Sequence, residues 1–463
     1  MSHDRGLDRR AFLRNAGITA IAAGAATAGM PALSAVSRTS LAPPPNGKYD
    51  FDTVYNRIGT NCTKWDRQIA LYGKDNIAVG MGIADLDFPV PPVITKALQE
   101  RIAHENWGYL DSQRPFIETV VAWNKKRYNV DIDPDSVIMA TGVHPGLIAA
   151  IATFSPPGSK VLLQTPTYNG FYSDLTFTRT IPEESPMKVV NGRYQMDFDD
   201  LDRRISHDTH TLILCNPQNP TGNCWSAEDL MTLGEICLRR RVIVLADEIH
   251  CDFVNKGEKY TPFASLPNKA IVDNSITFKA ASKSFGLAAM KCAYFYSTNR
   301  ELIERIRPNH RADLSTLGLI ATHAAYTGGE DWLDQVRDYI DGNHEFVASF
   351  VRSNIPMIKT VKPQGTYLSW LDMSELAERI NAKKLAEEAN RSLKPGETPL
   401  TPEQMIERWL VKNAKVHLNQ GRSYGRGGEG HMRMNIGTSR QLVKLALENI
   451  AEALSKPTLT SAL

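Results

Sequence analysis

Ala281-Ser282-Lys283-Ser284-Phe285-Gly286 decides the reading of this chain, together with two segments that precede it, Asn216-Pro217-Gln218-Asn219-Pro220-Thr221-Gly222 and Leu245-Ala246-Asp247-Glu248-Ile249-His250. A lysine on a short turn of small residues can bond covalently to an aldehyde. The carboxylate of Asp247, at the end of the apolar run Val242 to Ala246, can hold a pyridine nitrogen protonated, and the pair then makes an electron sink. Each piece alone says little. Ser-Lys-Ser is commonly a solvated loop, Asn, Pro and Gly punctuate turns anyway, and an acid ending a strand is ordinary. The conjunction carries the reading: 28 residues separate Asn219 from Asp247 and 36 separate Asp247 from Lys283, with each segment beside a predicted strand.

Outward from these segments, helical patterns alternate with short apolar strands from about Val93 to Gly329. The predicted strands are 138–140, 160–163, 211–215, 242–246, 275–278 and 293–296. Such alternation implies an α/β fold with a large, mostly parallel sheet covered on both faces, and ligands at the carboxyl ends of the strands, where Asp247 and Lys283 fall. The segment 49–92 has too few apolar runs for a core of its own and must dock elsewhere. From Glu330 a helical stretch leads into a second, smaller α+β region. The expected organisation is 1–35 as a signal peptide, 36–48 as a Pro-rich linker, 93–329 as the large domain, and 49–92 with 330–463 as the small one. Residues 382–408, charged and interrupted at Leu393-Lys394-Pro395-Gly396, read as a solvated surface excursion on the small domain.

In order and spacing the three segments resemble the fold-type I pyridoxal-phosphate enzymes of the class I/II aminotransferase superfamily. Asn56-Arg57-Ile58-Gly59-Thr60-Asn61-Cys62-Thr63-Lys64-Trp65-Asp66, Ala84-Asp85-Leu86-Asp87-Phe88, Trp107-Gly108-Tyr109 and Asp247-Glu248-Ile249-His250 narrow the likeness to the MalY/PatB group of cystathionine β-lyases, over about Phe51 to Leu454. The resemblance implies pyridoxal 5'-phosphate as cofactor, with Lys283 as its covalent anchor and the base, and Asp247 on the pyridine nitrogen. It assigns the phosphate to the backbone around Gly142, Val143 and His144, at a strand-to-helix turn that favours an anion, helped by Ser282. Where relatives carry an arginine eight residues after the lysine this chain has Lys291, which keeps the charge without the fork. Ala280 stands where a serine is frequent. Tyr168 falls where an aromatic ring covers the pyridine face, although a core tyrosine is the plain alternative. Asn219 matches the contact to the phenolic oxygen, and His250 stands near that oxygen in relatives. Arg433, in His431-Met432-Arg433-Met434-Asn435, matches the arginine that grips a substrate α-carboxylate with two parallel hydrogen bonds. In such homodimers the tyrosine at Tyr109 reaches the neighbouring subunit's cofactor. His431, where the group often has phenylalanine, leaves the substrate open.

Composition is ordinary for a globular enzyme, 42% hydrophobic and 22% charged over 463 residues. The formal charge of +2 resides in the first 35 residues, and the neutral remainder argues against a nucleic-acid partner held through phosphates. Asp8-Arg9-Arg10-Ala11-Phe12-Leu13-Arg14, followed by an Ala/Gly run to Met30 and Pro31-Ala32-Leu33-Ser34-Ala35, resembles a twin-arginine signal peptide. That implies export to the periplasm. The run is too weakly apolar for a stable membrane anchor. The six cysteines show neither a Cys-x-x-Cys pair nor zinc spacing, so no metal site and no disulfide framework is expected.

The expected activity is a carbon-sulfur β-lyase acting on cystathionine or cysteine S-conjugates, with release of thiol, pyruvate and ammonia. An aminotransferase working on an amino acid and a keto acid is the alternative, because both reactions begin with removal of the same proton. A regulatory binding protein is the third reading. The absence of an added DNA-binding helix pair or basic patch speaks against it.

Overall fold

The computed structural model describes Pro44 and residues 46–111, 113–394 and 396–456. The expected signal peptide and most of the expected linker lie outside the described residues. Among them, a seven-stranded sheet runs in the order Val137–Ala140, Ala293–Tyr296, Ser275–Lys279, Ile243–Asp247, Thr209–Cys215, Lys160–Thr165, Ile181–Pro186. Ala293–Tyr296 pairs antiparallel with both its neighbours, and the other pairings are parallel. The central strands are buried almost throughout and carry apolar runs at 212–215 and 243–246, as burial on both faces favours. Helices such as Val143–Phe154 and Ala227–Arg240 cover the sheet. Ala227–Arg240 begins with a reciprocal Ser226/Asp229 capping box and ends on Arg239 and Arg240, which favour a helix C-terminus and also pair with Asp202.

All six predicted strands form. The edge strand Ile181–Pro186 has no counterpart among them, because Pro182, Glu183 and Glu184 give it no apolar pattern; its pairing to Lys160–Thr165 supplies the order instead.

A second, three-stranded sheet is made by Leu368–Asp372, His431–Asn435 and Asn419–Gln420, with Trp370 opposite Arg433. Segment 49–92 docks here, as its poverty in apolar residues requires. Val79–Gly80 pairs with Val416–His417. Asp87, itself buried, accepts from Lys64 at 2.7 Å and from the Trp65 indole at 3.2 Å, and Arg57 bridges Asp85 and Asp87. One continuous apolar core joins Phe51 and Leu86 of this segment to Trp332 and Val336 of the long helix Glu330–Asn354.

The expectation for 382–408 needs correcting. Helix Ala382–Asn390 does turn Lys383, Lys384 and Glu387 to solvent. Helix Pro402–Ala414 instead lies in the core, with Met405, Ile406, Trp409 and Leu410 buried on one face. Its charges misled because composition does not show pairing. Buried Glu403 accepts from Arg422 and the Gly430 N–H, and buried Glu407 is held by Tyr72, His417 and Gln420. The six cysteines are free and buried, packed as small hydrophobes.

Candidate active site

The parallel strands deliver their carboxyl ends to one cavity of about 260 Å³, at the position a parallel sheet leaves for ligands. Strand Ile243–Asp247 ends on Asp247, and the strand Ser275–Lys279 hands over to the short helix Ala281–Ser284 that carries Lys283. Asn219 follows Thr209–Cys215, and Tyr168 follows Lys160–Thr165. Gly142, Val143 and His144 open the helix Val143–Phe154 directly after Val137–Ala140. All these residues line the cavity, with His250, Ser282 and Lys291.

Electrostatics set the two central groups in opposite senses. Burial pushes the Asp247 carboxyl up to about 6; the Ile249 N–H and the charge of His144 oppose it. Burial pulls the Lys283 ammonium down to about 8, with Arg433 acting in the same direction and Asp85 and Asp247 against it. Both shifts follow from withdrawing a charge from water. Lys283 Nζ donates to the Ala84 carbonyl at 2.7 Å, which fixes the amine at the edge of the cavity. Arg433 is buried beside it. Its Nη1 donates to Asn219 Oδ1 at 3.0 Å, its Nη2 donates to the Gly82 carbonyl at 2.7 Å, and its Nε has no protein partner.

A phosphorylated pyridine aldehyde fits this set. Asp247 is a buried acid whose carboxylate accepts from the Ile249 backbone N–H, so a pyridine N–H would complete it. His250 is buried with an unpartnered Nδ1, and burial keeps it neutral by holding its pKa well below the ordinary range. The Gly142 cap leaves the first N–H groups of a twelve-residue helix without a side-chain cap, and Lys291 adds a cation at the same cavity.

Two of the expected residues stand differently from the rest. Tyr168 presents its ring to the cavity but its hydroxyl to His144, at 3.3 Å. Tyr109 does not reach this cavity; it is fully exposed between the helices Pro92–Ile102 and Arg114–Tyr128, and nearby Trp107 stacks under Arg101. Sequence reasoning missed Asp174, whose carboxylate bonds His144 Nδ1, and Tyr367, which donates to the Ala84 carbonyl and packs edge-on to His250. No motif marks either. The pairing of His144 with an acid on the neighbouring helix is visible only in three dimensions.

A family model described as aminotransferase class I and II matches residues 76–450. Cystathionine beta-lyase PatB of Bacillus subtilis (strain 168) is 35% identical over 411 residues, covering 88% of this chain and all of that protein. Among solved structures, a PLP-bound putative aminotransferase from Clostridium difficile 630 superposes with a TM-score of 0.79 at 31% identity, covering 88% of this chain and 100% of that one. The PLP-bound C-S lyase from Staphylococcus hominis does so with a TM-score of 0.77 at 30% identity, again over 88% and 100%.

Proposed function

The chain belongs to the class I and II aminotransferase family, and from that membership we propose that it is a pyridoxal-phosphate-dependent carbon-sulfur β-lyase that cleaves cystathionine or cysteine S-conjugates to thiol, pyruvate and ammonia. The observation that carries the reading is the cavity itself, where a lysine with a pKa lowered to about 8, a buried acid and a helix N-terminus converge, with buried Arg433 bonded to the Asn219 that lines it. The lyase relatives at 35% and 30% identity favour carbon-sulfur cleavage over transamination. The relative described as a putative aminotransferase keeps transamination as the second reading.

Bound pyridoxal phosphate supplies a conjugated electron sink beside the substrate Cα. The chain does the rest. Asp247 would hold the pyridine N–H, Lys291 with the backbone of Gly142, Val143 and His144 and with Ser282 would hold the phosphate, Asn219 and His250 would serve the phenolic oxygen, and Tyr168 would support the ring. Arg433 grips the α-carboxylate in a two-bond fork, which sets the direction of the Cα–H bond. Lys283 Nζ takes that proton, and a pKa near 8 leaves a useful unprotonated fraction at neutral pH.

Three further elements belong to this reading. The chain divides functionally at 93–329 and at 49–92 with 330–463. It works as a homodimer in which Tyr109 completes the partner's site; the exposure of Tyr109, Trp107 and Leu110 supports this. It is exported to the periplasm by the twin-arginine signature at Arg9-Arg10, and no helix among the described residues is long and apolar enough to cross a membrane. The test of activity is to mix purified holoprotein with cystathionine and follow pyruvate and free thiol. Absence of both, with turnover of amino acid and keto acid pairs, would replace the lyase reading by the transaminase one.

A further inference from the structure

Asp174, His144 and Tyr168 form a hydrogen-bonded chain at the cavity wall that the reaction as described does not use. They come from three places: the helix Gly170–Thr178, the first turn of Val143–Phe154, and the loop between them in the fold. Both carboxylate oxygens of Asp174 face His144 Nδ1, at 2.7 and 2.9 Å, which is the arrangement of an N–H shared between two acceptors. Asp174 is 3% exposed, so its carboxylate is shielded from water while the His144 ring keeps an exposed side. The tautomer is thereby fixed, and Nε2 is left to meet the Tyr168 hydroxyl at 3.3 Å. Among the described residues, His144 is the hydrogen-bond partner of that hydroxyl.

The local backbone is shaped for the contact. A Cβ at Gly170 would stand 2.6 Å from His144 Cε1 and 2.6 Å from Tyr168 Cε1. Only glycine admits both rings side by side at this point. Asp247 and Lys283 act on His144 from the cavity floor with opposite signs.

The fixed tautomer gives the phenol two states. With His144 neutral, Nε2 accepts, and the Tyr168 hydroxyl spends its proton on the imidazole and turns lone pairs to the cavity. With His144 protonated, Nε2 donates, and the Tyr168 O–H is free to donate into the cavity. Burial opposes the imidazolium, but the bond and charge of Asp174 outweigh it, so the His144 pKa is raised; burial also holds the phenol up to about 12, well clear of ionising near neutrality.

We propose that Asp174, His144 and Tyr168 are a proton relay serving the sulfur leaving group. The electron pair left at Cα by proton removal forms the Cα=Cβ bond as the Cβ–S bond breaks with its pair on sulfur, and the Tyr168 O–H supplies the proton that makes the thiol. His144 Nε2–H returns a proton to the phenolate oxygen, and His144, part-exposed at the cavity, is reprotonated from water. Tyr168 is the group that touches the substrate; His144 and Asp174 are positioning residues acting through it. The inference rests on the lyase reading.

The test compares leaving groups. Alkyl thiolates are poor leaving groups and need the proton, whereas chloride needs none. His144→Leu and His144→Gln holoenzymes should lose on the order of 100-fold in kcat on cystathionine, the usual worth of a positioned general acid. On β-chloroalanine, whose chloride leaves unprotonated, their loss should be smaller than on cystathionine by about tenfold or more, because any cost to the phosphate-binding turn that His144 belongs to falls on both substrates alike. Glutamine can keep a hydrogen bond to Tyr168 but cannot supply a proton, so rescue by His144→Gln would reduce the chain to a structural role and overturn the relay. Equal losses on both substrates, or none on cystathionine, overturn it too. A second readout is independent of turnover: by NMR of the full chain, the His144 Cε1–H titration midpoint should fall in Asp174→Asn, and an unchanged midpoint counts against the proposal. If wild-type protein releases no thiol from cystathionine, the lyase reading fails and the relay with it. If wild type cleaves and the variants cleave as well, only the relay fails.

Discussion

At the scale of single residues, Lys283 and Asp247 carry the sharpest expectations. Purified protein should absorb in the visible when loaded with pyridoxal phosphate, and Lys283→Ala should lose that band; a colourless wild type after incubation with the cofactor contradicts the assignment. Asp247→Asn should keep the cofactor yet lose on the order of 100-fold in turnover, since an amide does not hold the pyridine nitrogen protonated. The same carboxyl has a stability signature without cofactor. Its pKa is raised from 3.8 to about 6, so it favours the folded state fully only below about pH 4, and that contribution is lost as pH rises through 6. Two pKa units correspond to about 3 kcal/mol. Cofactor-free Asp247→Asn should therefore exceed cofactor-free wild type in stability by roughly that amount at pH 8, with the gap closing towards pH 4. Denaturant melts at the two pH values measure it, and a pH-independent difference rules the burial argument out. Lys283, Asp247, Asn219 and Arg433 were legible because each stands in a motif of restricted spacing. His144 was legible only as backbone, because its side-chain partner Asp174 is 30 residues away on another helix.

Among elements, the buried polar joint of segment 49–92 is the vulnerable one. Asp87→Ala leaves Lys64, which has no solvent exposure, without its carboxylate. Breaking one side of such a pair costs about 3–5 kcal/mol. Because the same segment presents the Gly82 and Ala84 carbonyls, thermal melting should fall together with cofactor retention, and loss of neither would show that the joint is dispensable. Strands of the large sheet were readable from sequence because burial on both faces gives each a short apolar stretch. Ile181–Pro186 and the helix Pro402–Ala414 were not, for opposite reasons: the first is an edge strand whose polar residues conceal its pairing, and the second conceals an apolar face among charges that are neutralised by distant partners.

For the whole molecule, the shared-site proposal predicts complementation. Mixing inactive Tyr109→Ala with inactive Lys283→Ala subunits should restore a fraction of activity, since one site of the heterodimer carries both lesions and the other neither. Heterodimers seen by mass without recovered turnover refute it. Arg9→Lys with Arg10→Lys should leave the protein in the cytoplasm at precursor length, as fractionation and blotting would report; periplasmic, processed protein means a different signal. The docking of segment 49–92 has one more consequence. The side chains that meet a ligand's head group are already engaged by the chain itself: Arg433 Nη1 and Nη2 by Asn219 and the Gly82 carbonyl, and Lys283 by the Ala84 carbonyl, with Arg433 Nε left open. At the Arg433 Nη atoms, entry is thus a ligand exchange, not an addition. An amino-acid carboxylate replaces a neutral acceptor by an ionic one, roughly doubling the strength of the bond. An amide or ester at those two atoms swaps one neutral acceptor for another, so the chain's own backbone is the competitor against which a free carboxylate has the advantage.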